Sequence, residues 1–453
     1  MIQLAIGIAV TIAAIIIISV LSGKIAKKEK SANTLVVAGA IMGTLVGGSS
    51  TIGTAQLAYS YGMSAWWFTL GAGIACLILA LVYVKPFYKS GNKTLSSFIT
   101  NEYGQKCGTL SATFSALGSF INIISQLIAS TAIIAVIFSE VPLSVSLVFS
   151  AVIMTLYIIF GGVKGSGVVG SFKMFLLYAS MLVVAVLVIK LSGGLAGFFD
   201  TVNTIENPEN VRFYSMFARG VSKDLGACLS LVLGVITTQS YAQAIFAAKS
   251  EKAALGGALI GAFLVPPIGI GGILVGLYMR AMHPGIVSKT ALTYFVTEYT
   301  HPLFGGIILG ALFIAVVGTG AGLALGTAII LKRDVLPQVI KKCKASEKWL
   351  IVLILALACT LSMGPFGDTI LNFSYMSMAL RGATLFVPLC FAIFCRRRVS
   401  PRFATVAIIA GPLVVLLFNL INVLPFDPLF AGVLASGIIM FIGFIKNDIL
   451  KSK

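Results

Sequence analysis

Long apolar runs recur along the whole chain, and short polar segments separate them. A transmembrane helix needs about 20 mostly apolar residues, and thirteen of these runs are long enough to cross a bilayer. They lie at 2–22, 34–58, 63–84, 112–138, 143–160, 168–191, 226–247, 254–279, 304–331, 349–364, 370–394, 404–424 and 428–446. The pattern therefore predicts an all-α polytopic membrane protein with 13 transmembrane helices.

The composition excludes a soluble globular enzyme. Of the 453 residues, 58% are hydrophobic and 10% are charged, whereas soluble domains carry about 25% charged residues. The net charge of +18 would indicate a nucleic-acid partner in a soluble protein. Here 25 of the 32 Lys and Arg residues belong to alternate loops, counting Lys173 just inside a predicted span, so we expect membrane lipid around the chain and no nucleic-acid partner.

The same basic residues predict an orientation, because basic loops stay in the cytoplasm. We expect an integral plasma-membrane protein whose N-terminus is outside and whose C-terminus is cytoplasmic. No basic residue precedes the first apolar run, and Lys24, Lys27 and Lys28 follow it. A secretory signal has the opposite polarity, so the first run is interpreted as a retained helix.

Ionisable residues are rare within the predicted spans. All 14 Asp and Glu residues lie in loops or at span ends, and the two intramembrane charges are Lys173 and Arg381. Such charges are costly and indicate function by default. The two histidines and the scattered cysteines form no catalytic dyad or metal motif, so we expect no enzyme activity, no organic cofactor and no obligate protein partner.

Two spans carry polar interruptions in corresponding halves of the chain. Residues 43–54 (GTLVGGSSTIGT) combine glycines and hydroxyls, and residues 234–243 (GVITTQSYAQ) form a second interruption. Paired interrupted spans indicate an inverted-repeat transporter with a binding site near the membrane midplane. Close packing of small residues is the alternative. A channel or a transporter-like solute sensor also stays open, although neither a repeated pore loop nor an added signalling domain is visible.

Six stretches in order along the chain resemble motifs of the sodium:solute symporter family. Residues 49–71 are similar to its second helix, and 94–104 (TLSSFITNEYG) to a loop that ends in Tyr-Gly. Residues 156–164 (LYIIFGGVK) and 243–249 (QAIFAAK) resemble two further motifs. Residues 315–334 resemble the family's long hydroxyl-rich helix, and 386–398 a segment that ends in basic residues.

The resemblance implies a fold and its division along the chain. We expect a LeuT-like core of five plus five helices in inverted repeats, with one extra N-terminal and two extra C-terminal helices. The predicted units are a first helix with its linker (1–33), a first repeat (34–191), an extracellular loop (192–225), a second repeat (226–394) and two C-terminal helices (395–453). The function implied is symport of a small solute with sodium.

The resemblance also implies a sodium site built from the first interrupted span and the ninth span. The residues assigned to it are Gly43, Val46, Ala315, Gly318 and Thr319. Gly318 stands where the family has a serine, Gly170 where it often has aspartate, and Lys173 where it often has glutamine. Because the resemblance covers nearly the whole chain, sodium is the expected coupling ion. The alternative is a proton-coupled symporter in which Lys173, with Gly170 beside it, replaces the sodium ion.

The expected solute pocket lies between the two interrupted spans. Its hydroxyl and amide side chains favour a small polar organic solute, and Arg381 favours a carboxylate on it, because guanidinium pairs with carboxylate in a bidentate manner. The candidates are Ser49, Ser50, Gln56, Asn122, Gln126, Thr238, Gln239, Tyr241 and Arg381.

Overall fold

The computed structural model describes residues 2–28, 32–138, 140–206, 210–340, 346–364, 370–421 and 426–451. Regular structure in these ranges is helical, apart from an isolated bridge between Ala32 and Ala248. Eight described helices are long and apolar enough to cross a membrane, and the number is nine if one bent pair counts as a span. Parts of the basic runs, at 29–31 and 341–345, lie outside the described residues.

The α-helices in chain order are α1 Ile2–Lys28, α2 Thr34–Leu45, α3 Thr54–Tyr61, α4 Trp67–Ile78, α5 Val84–Lys89, α6 Leu95–Tyr103, α7 Gln105–Ile137, α8 Leu143–Leu191, α9 Leu195–Asn203, α10 Val221–Ile236, α11 Gln239–Phe246, α12 Glu251–Met282, α13 Ala291–Tyr299, α14 Pro302–Ile330, α15 Leu336–Val339, α16 Glu347–Ser362, α17 Ile370–Phe394, α18 Pro401–Ile421 and α19 Pro428–Lys451. Most of the predicted spans match these helices within a few residues.

The first predicted interruption is confirmed. α2 ends at Leu45, and Val46 has an extended backbone with φ −94° and ψ 106°. A π-helix resumes the span at Ser49–Gly53 and leads into α3. Between them, a Cβ added to Gly47 would lie 2.7 Å from the Cβ of Thr319 on α14. Glycine at position 47 therefore lets the backbone at the break approach α14 more closely than a larger residue would permit.

The second predicted interruption is confirmed as well. α10 and α11 meet at an angle of 42°, and Thr237 and Thr238 lie between them. The Thr237 hydroxyl donates to the carbonyl of Leu233 at 2.7 Å, and the Thr238 hydroxyl donates to the carbonyl of Gly234. The Leu233 carbonyl also accepts from the backbone N–H of Thr237 at 3.1 Å, so the two hydroxyls add to the hydrogen bonding at the end of α10, where helical partners run out.

One predicted connection differs from the structure. The sequence predicts a loop between runs 143–160 and 168–191, whereas α8 is helical from Leu143 to Leu191. No proline interrupts this stretch, and glycines in a helix cost only about 1 kcal/mol each. A straight helix of 49 residues would measure about 74 Å at 1.5 Å per residue, more than twice the roughly 30 Å hydrocarbon core.

Two short helices lie in predicted loops. The sequence allows a surface helix within 192–225, and α9 is that helix. The other helix, α13, is not predicted; it follows α12 and buries Leu292, Phe295 and Val296. The Phe295 ring stacks on Tyr299, with ring centroids 5.1 Å apart. The apolar residues of α13 recur at helical spacing, and this pattern is the sequence signal for the helix.

Close glycine contacts join α1 to α14. A Cβ added to Gly306 would lie 3.0 Å from the Cα of Gly7, and one added to Gly310 would lie 2.7 Å from the Cβ of Thr11. We expect Gly306→Ala to destabilise the protein, because an added methyl group in a tightly packed contact costs about 1–3 kcal/mol. Thermal unfolding of the purified protein in detergent measures the change.

The matched control is Gly437→Ala on α19, where an added Cβ meets no atom within 4 Å. This variant is expected to unfold at the wild-type temperature or above it, because alanine favours helices over glycine. Equal destabilisation by both substitutions would contradict the role of the α1–α14 contact.

Candidate functional site

The side chain of Lys173 enters the predicted sodium site. It extends from α8 to the first break and is 1% exposed. Its Nζ donates to the carbonyl of Gly43 at 2.5 Å, to the carbonyl of Ala315 at 2.8 Å and to Thr319 Oγ1 at 3.1 Å. An ammonium group has three N–H donors, so these three acceptors use all of them.

Thr319 joins the two sides of this site. Its hydroxyl accepts from Lys173 and lies 3.1 Å from the carbonyl of Val46, to which it donates. The structure therefore brings together the oxygens of Gly43, Val46, Ala315 and Thr319 that the resemblance assigns to sodium. We call these residues and Lys173 the lysine cluster.

Two glycines make room for the lysine. A Cβ added to Gly318 on α14 would lie 3.3 Å from both Cδ and Nζ of Lys173. A Cβ added to Gly43 would lie 2.8 Å from the Cα of Gly170, one helical turn before Lys173 on α8. The predicted departures from the family motif thus lie at the contact between α8, α2 and α14.

A second polar cluster lies on the other side of the first break. Gln126 on α7 accepts from the backbone N–H of Gly48 at 2.9 Å and donates to Ser49 Oγ at 3.1 Å. It also donates to Asn122 Oδ1 at 3.2 Å. Two further serines complete this serine–amide cluster: Ser374 Oγ lies 2.5 Å from Ser49 Oγ and donates to Asn122, and Ser125 Oγ lies 3.0 Å from Ser374 Oγ.

Ser374 is not among the predicted site residues, although the sequence carries a signal for it. Ser374, Ser377 and Arg381 are spaced i, i+3 and i+7, which places them on one face of α17. That face lies against α7, where the Ser377 hydroxyl donates to the carbonyl of Gly118. The polar positions of an otherwise apolar helix thus mark its contact with the site.

Arg381 lies at the second break and is fully buried. Its Nη1 donates to Thr238 Oγ1 at 2.7 Å, and its Nε donates to the carbonyl of Ser377 at 3.1 Å. Its Nη2 lies 3.0 Å from both Ser377 Oγ and Met378 Sδ. Within the described part of the chain, no carboxylate lies at ion-pair distance from Arg381 or Lys173.

The remaining candidates are placed in different ways. Ser50 bonds locally to Gly47, and Gln56 is buried on α3. Tyr241 is buried on α11, within electrostatic range of Arg381. Gln239 lies apart from the serine–amide cluster, because its amide accepts from the N–H of Leu95 at 2.9 Å and donates to the carbonyl of Lys93 at 3.1 Å.

A cavity of about 410 Å³ lies where α10 and α17 begin. Arg219, Lys223, Tyr375 and Asp427 contribute to its lining. Arg219 pairs with Asp224 at 2.7 Å, and burial raises the pKa of the Asp427 carboxyl. Tyr375 directly follows Ser374 of the serine–amide cluster, so this cavity lies next to the buried site.

Removing one amide tests the serine–amide cluster. We expect Gln126→Leu to destabilise the protein by about 1–3 kcal/mol, because the buried N–H of Gly48 loses its acceptor. The control is Gln105→Leu on the same helix, at an exposed position. Chemical or thermal unfolding in detergent compares them, and equal stability of the two variants would show that the cluster does not support the break.

A family model of the sodium:solute symporter family matches residues 29–411. The sodium/pantothenate symporter of Escherichia coli (strain K12) is 23% identical over 440 residues, which cover 92% of this chain and 88% of that protein. YwcA of Bacillus subtilis (strain 168), described as an uncharacterized symporter, is 24% identical over 328 residues. That match covers 68% of this chain but less than two thirds, 62%, of YwcA.

Two solved transporter structures share the fold. A Na⁺-coupled sialic acid symporter in a substrate-bound outward-open state matches with a TM-score of 0.77 and 15% identity, covering 99% of this chain and 97% of that one. Mhp1, a nucleobase-cation-symport-1 family transporter in a closed conformation with bromovinylhydantoin bound, matches with a TM-score of 0.66 and 14% identity, covering 93% of each chain. Both neighbours are LeuT-like. This chain is an integral membrane transporter rather than an enzyme, and it belongs to the sodium:solute symporter family.

Proposed function

We propose that this chain is a cation-coupled symporter that carries a small polar organic solute by alternating access. The observation that carries the proposal is the pair of buried clusters at the first break. One holds a positive charge on neutral oxygens, and the other presents hydroxyls and amides. A discontinuous helix that places a cation beside a polar pocket is the arrangement that couples an ion to a solute.

The proposed topology has 13 transmembrane helices, with the N-terminus outside and the C-terminus in the cytoplasm. In this topology the two apolar runs within α8, 143–160 and 168–191, are separate spans, so the chain must reverse its direction between them. The two repeats of five helices are 34–191 and 226–394, with 1–33, 192–225 and 395–453 outside them. The positions of the two breaks, near the start of each repeat, support this division.

For the coupling ion, we propose that the Lys173 ammonium takes the place of sodium. A sodium ion and Nζ cannot both occupy the oxygens of Gly43, Ala315 and Thr319 at 2.5 to 3.1 Å. Loss of a proton from the ammonium leaves a neutral amine and removes the positive charge that these oxygens hold. The proton on Lys173 is then the cation that moves with the solute.

Sodium coupling is the second candidate. Membership in the sodium:solute symporter family and the name of the Escherichia coli relative support it. The oxygens of Gly43, Val46, Ala315 and Thr319 suit a hard cation, which prefers several oxygen ligands. In that case Lys173 must leave the cluster before the ion binds.

For the solute, we propose a carboxylate-bearing molecule such as a monocarboxylate or an amino acid. Two buried positive charges face the core, and no described carboxylate pairs with either of them. Unpaired charge in a low-dielectric interior attracts a partner of opposite charge. Arg381 contributes through its field, since its side chain is covered by protein, whereas Ser49, Asn122, Gln126 and Ser374 supply hydrogen bonds.

The coupling proposal is tested with purified protein in liposomes. We expect an inward proton gradient to drive solute uptake without sodium. Lys173→Met should abolish this uptake, because the methionine side chain has no group that can bind and release a proton. Lys190→Met is the matched control, as it lies exposed at the end of the same helix. Uptake driven by a sodium gradient at equal pH, and lost in Thr319→Ala, would establish the sodium candidate instead.

The solute proposal is tested by a binding screen on the purified protein. We expect small carboxylates to raise the melting temperature, while their amides, their esters and neutral sugars leave it unchanged. Asn122→Leu should raise the Kd of the active acid at least tenfold, because one hydrogen bond to a charged ligand contributes about 1.5–3 kcal/mol. Asn101→Leu, at an exposed position, is the control. Stabilisation by neutral sugars alone would contradict a carboxylate solute.

A further inference from the structure

The contacts of Lys173 and Arg381 follow one pattern in the two halves of the chain. In the first half, Gly43 lies three residues before Val46, where the helix breaks. The Cα of Gly170 lies 2.8 Å from a Cβ added to Gly43. Three residues after Gly170, Lys173 reaches the break and donates to it.

The second half repeats this order. Gly234 lies three residues before Thr237, where α10 breaks. The Cα of Met378 lies 2.9 Å from a Cβ added to Gly234. Three residues after Met378, Arg381 reaches the break and donates to Thr238. In both halves, therefore, the glycine lies three residues before the break, and the residue packed against that glycine lies three residues before the cation.

A third helix completes each arrangement. In both cases this helix comes from the half of the chain that does not carry the cation. Lys173 lies against Gly318 of α14, where an added Cβ would lie 3.3 Å from the lysine Cδ. Arg381 lies against Gly118 of α7, where an added Cβ would lie 2.7 Å from the arginine Cγ. Each cation thus contacts the broken span of its own half and a glycine on a helix of the other half.

We propose that Arg381 is the counterpart of Lys173 and fills a second internal cation position with its own side chain. The oxygens of this position are Thr238 Oγ1, the Ser377 carbonyl and Ser377 Oγ. A free monovalent cation is then not needed at the second break. When the Arg381 side chain is removed, this position should bind a small monovalent cation.

The two side chains differ in one chemical respect. A lysine ammonium releases its proton, whereas arginine stays protonated in proteins. Arg381 is therefore a fixed charge that positions the break between α10 and α11, and Lys173 is the group able to change its charge. The comparison with Lys173 rests on the proposed function, but the contacts of Arg381 stand independently of it.

The experiment compares melting temperatures of the full-length protein in equal concentrations of sodium, potassium and choline chloride. Arg381→Ala vacates the oxygens of Thr238 and Ser377, so sodium or potassium should raise its melting temperature by several degrees over choline. Adding Thr238→Val to this variant should abolish the difference. The control, Arg402→Ala at an exposed position, should respond to the three salts as the wild type does.

Two results would overturn the inference. One is an Arg381→Ala protein that responds to the three salts as the wild type does. The other is a wild-type protein whose own response to sodium disappears in Thr238→Val, because a free ion would then bind beside the arginine. Where Arg381→Ala cannot be purified, Arg381→Lys and Arg381→Gln replace it. Lysine should keep the wild-type response and glutamine should gain a cation response, and identical behaviour of the two also overturns the inference.

These outcomes are separable from those of the coupling test. Lys173→Met in liposomes leaves Arg381 and Thr238 intact, so it reports on the lysine cluster alone. A chain that transports without Lys173, yet gains a Thr238-dependent cation response in Arg381→Ala, keeps this inference and loses the coupling proposal. The reverse pair of results keeps the coupling proposal and removes the inference.

Discussion

A positive charge held by neutral oxygens inside a membrane is the interaction on which this structure depends. The Lys173 ammonium lies among two backbone carbonyls and one hydroxyl, with no carboxylate among them. The Ala315 carbonyl accepts from Lys173 while it lies within α14. The Gly43 carbonyl is released because α2 ends at Leu45 and the N–H of Gly47 donates to Ser50 instead. The chain therefore needs a break in α2 to supply some of these oxygens, and small residues around the break to bring α8 and α14 close enough.

The break in turn explains the polar side chains on α7 and α17. A broken helix leaves backbone N–H groups without partners, and such groups are costly when buried. Gln126 accepts from the N–H of Gly48, and Asn122 and the serines complete the hydrogen bonding of that amide. In the function proposed above, the side chains that stabilise the break are also the ones that bind the solute.

Much of this architecture was predictable from sequence, because the bilayer imposes long apolar runs and makes any departure from them conspicuous. The glycine and hydroxyl residues at 43–54 and 234–243 indicated both breaks, and the rarity of buried charge drew attention to Lys173 and Arg381. Contacts between distant helices were less accessible. The spacing of Ser374, Ser377 and Arg381 marks one face of α17, but it does not indicate that this face packs against α7. Gln239 is predicted to line the pocket, whereas its amide bonds to the backbone of Lys93 and Leu95. The sequence also predicts a loop at 161–167, where α8 is helical, since glycines fit a turn and a helix almost equally well.

The contact between α1 and α14 has a mechanical consequence. α14 carries Ala315, Gly318 and Thr319, and a few residues earlier its glycines lie against Gly7 and Thr11 of α1. α1 lies outside the proposed ten-helix core and presents exposed apolar side chains such as Ile6, Val10 and Ile17, which lipid would cover. Lateral pressure and changes in bilayer thickness act on such a surface. α1 packs against α8 as well as α14, so a change in the surrounding lipid acts on both helices that hold the lysine cluster together.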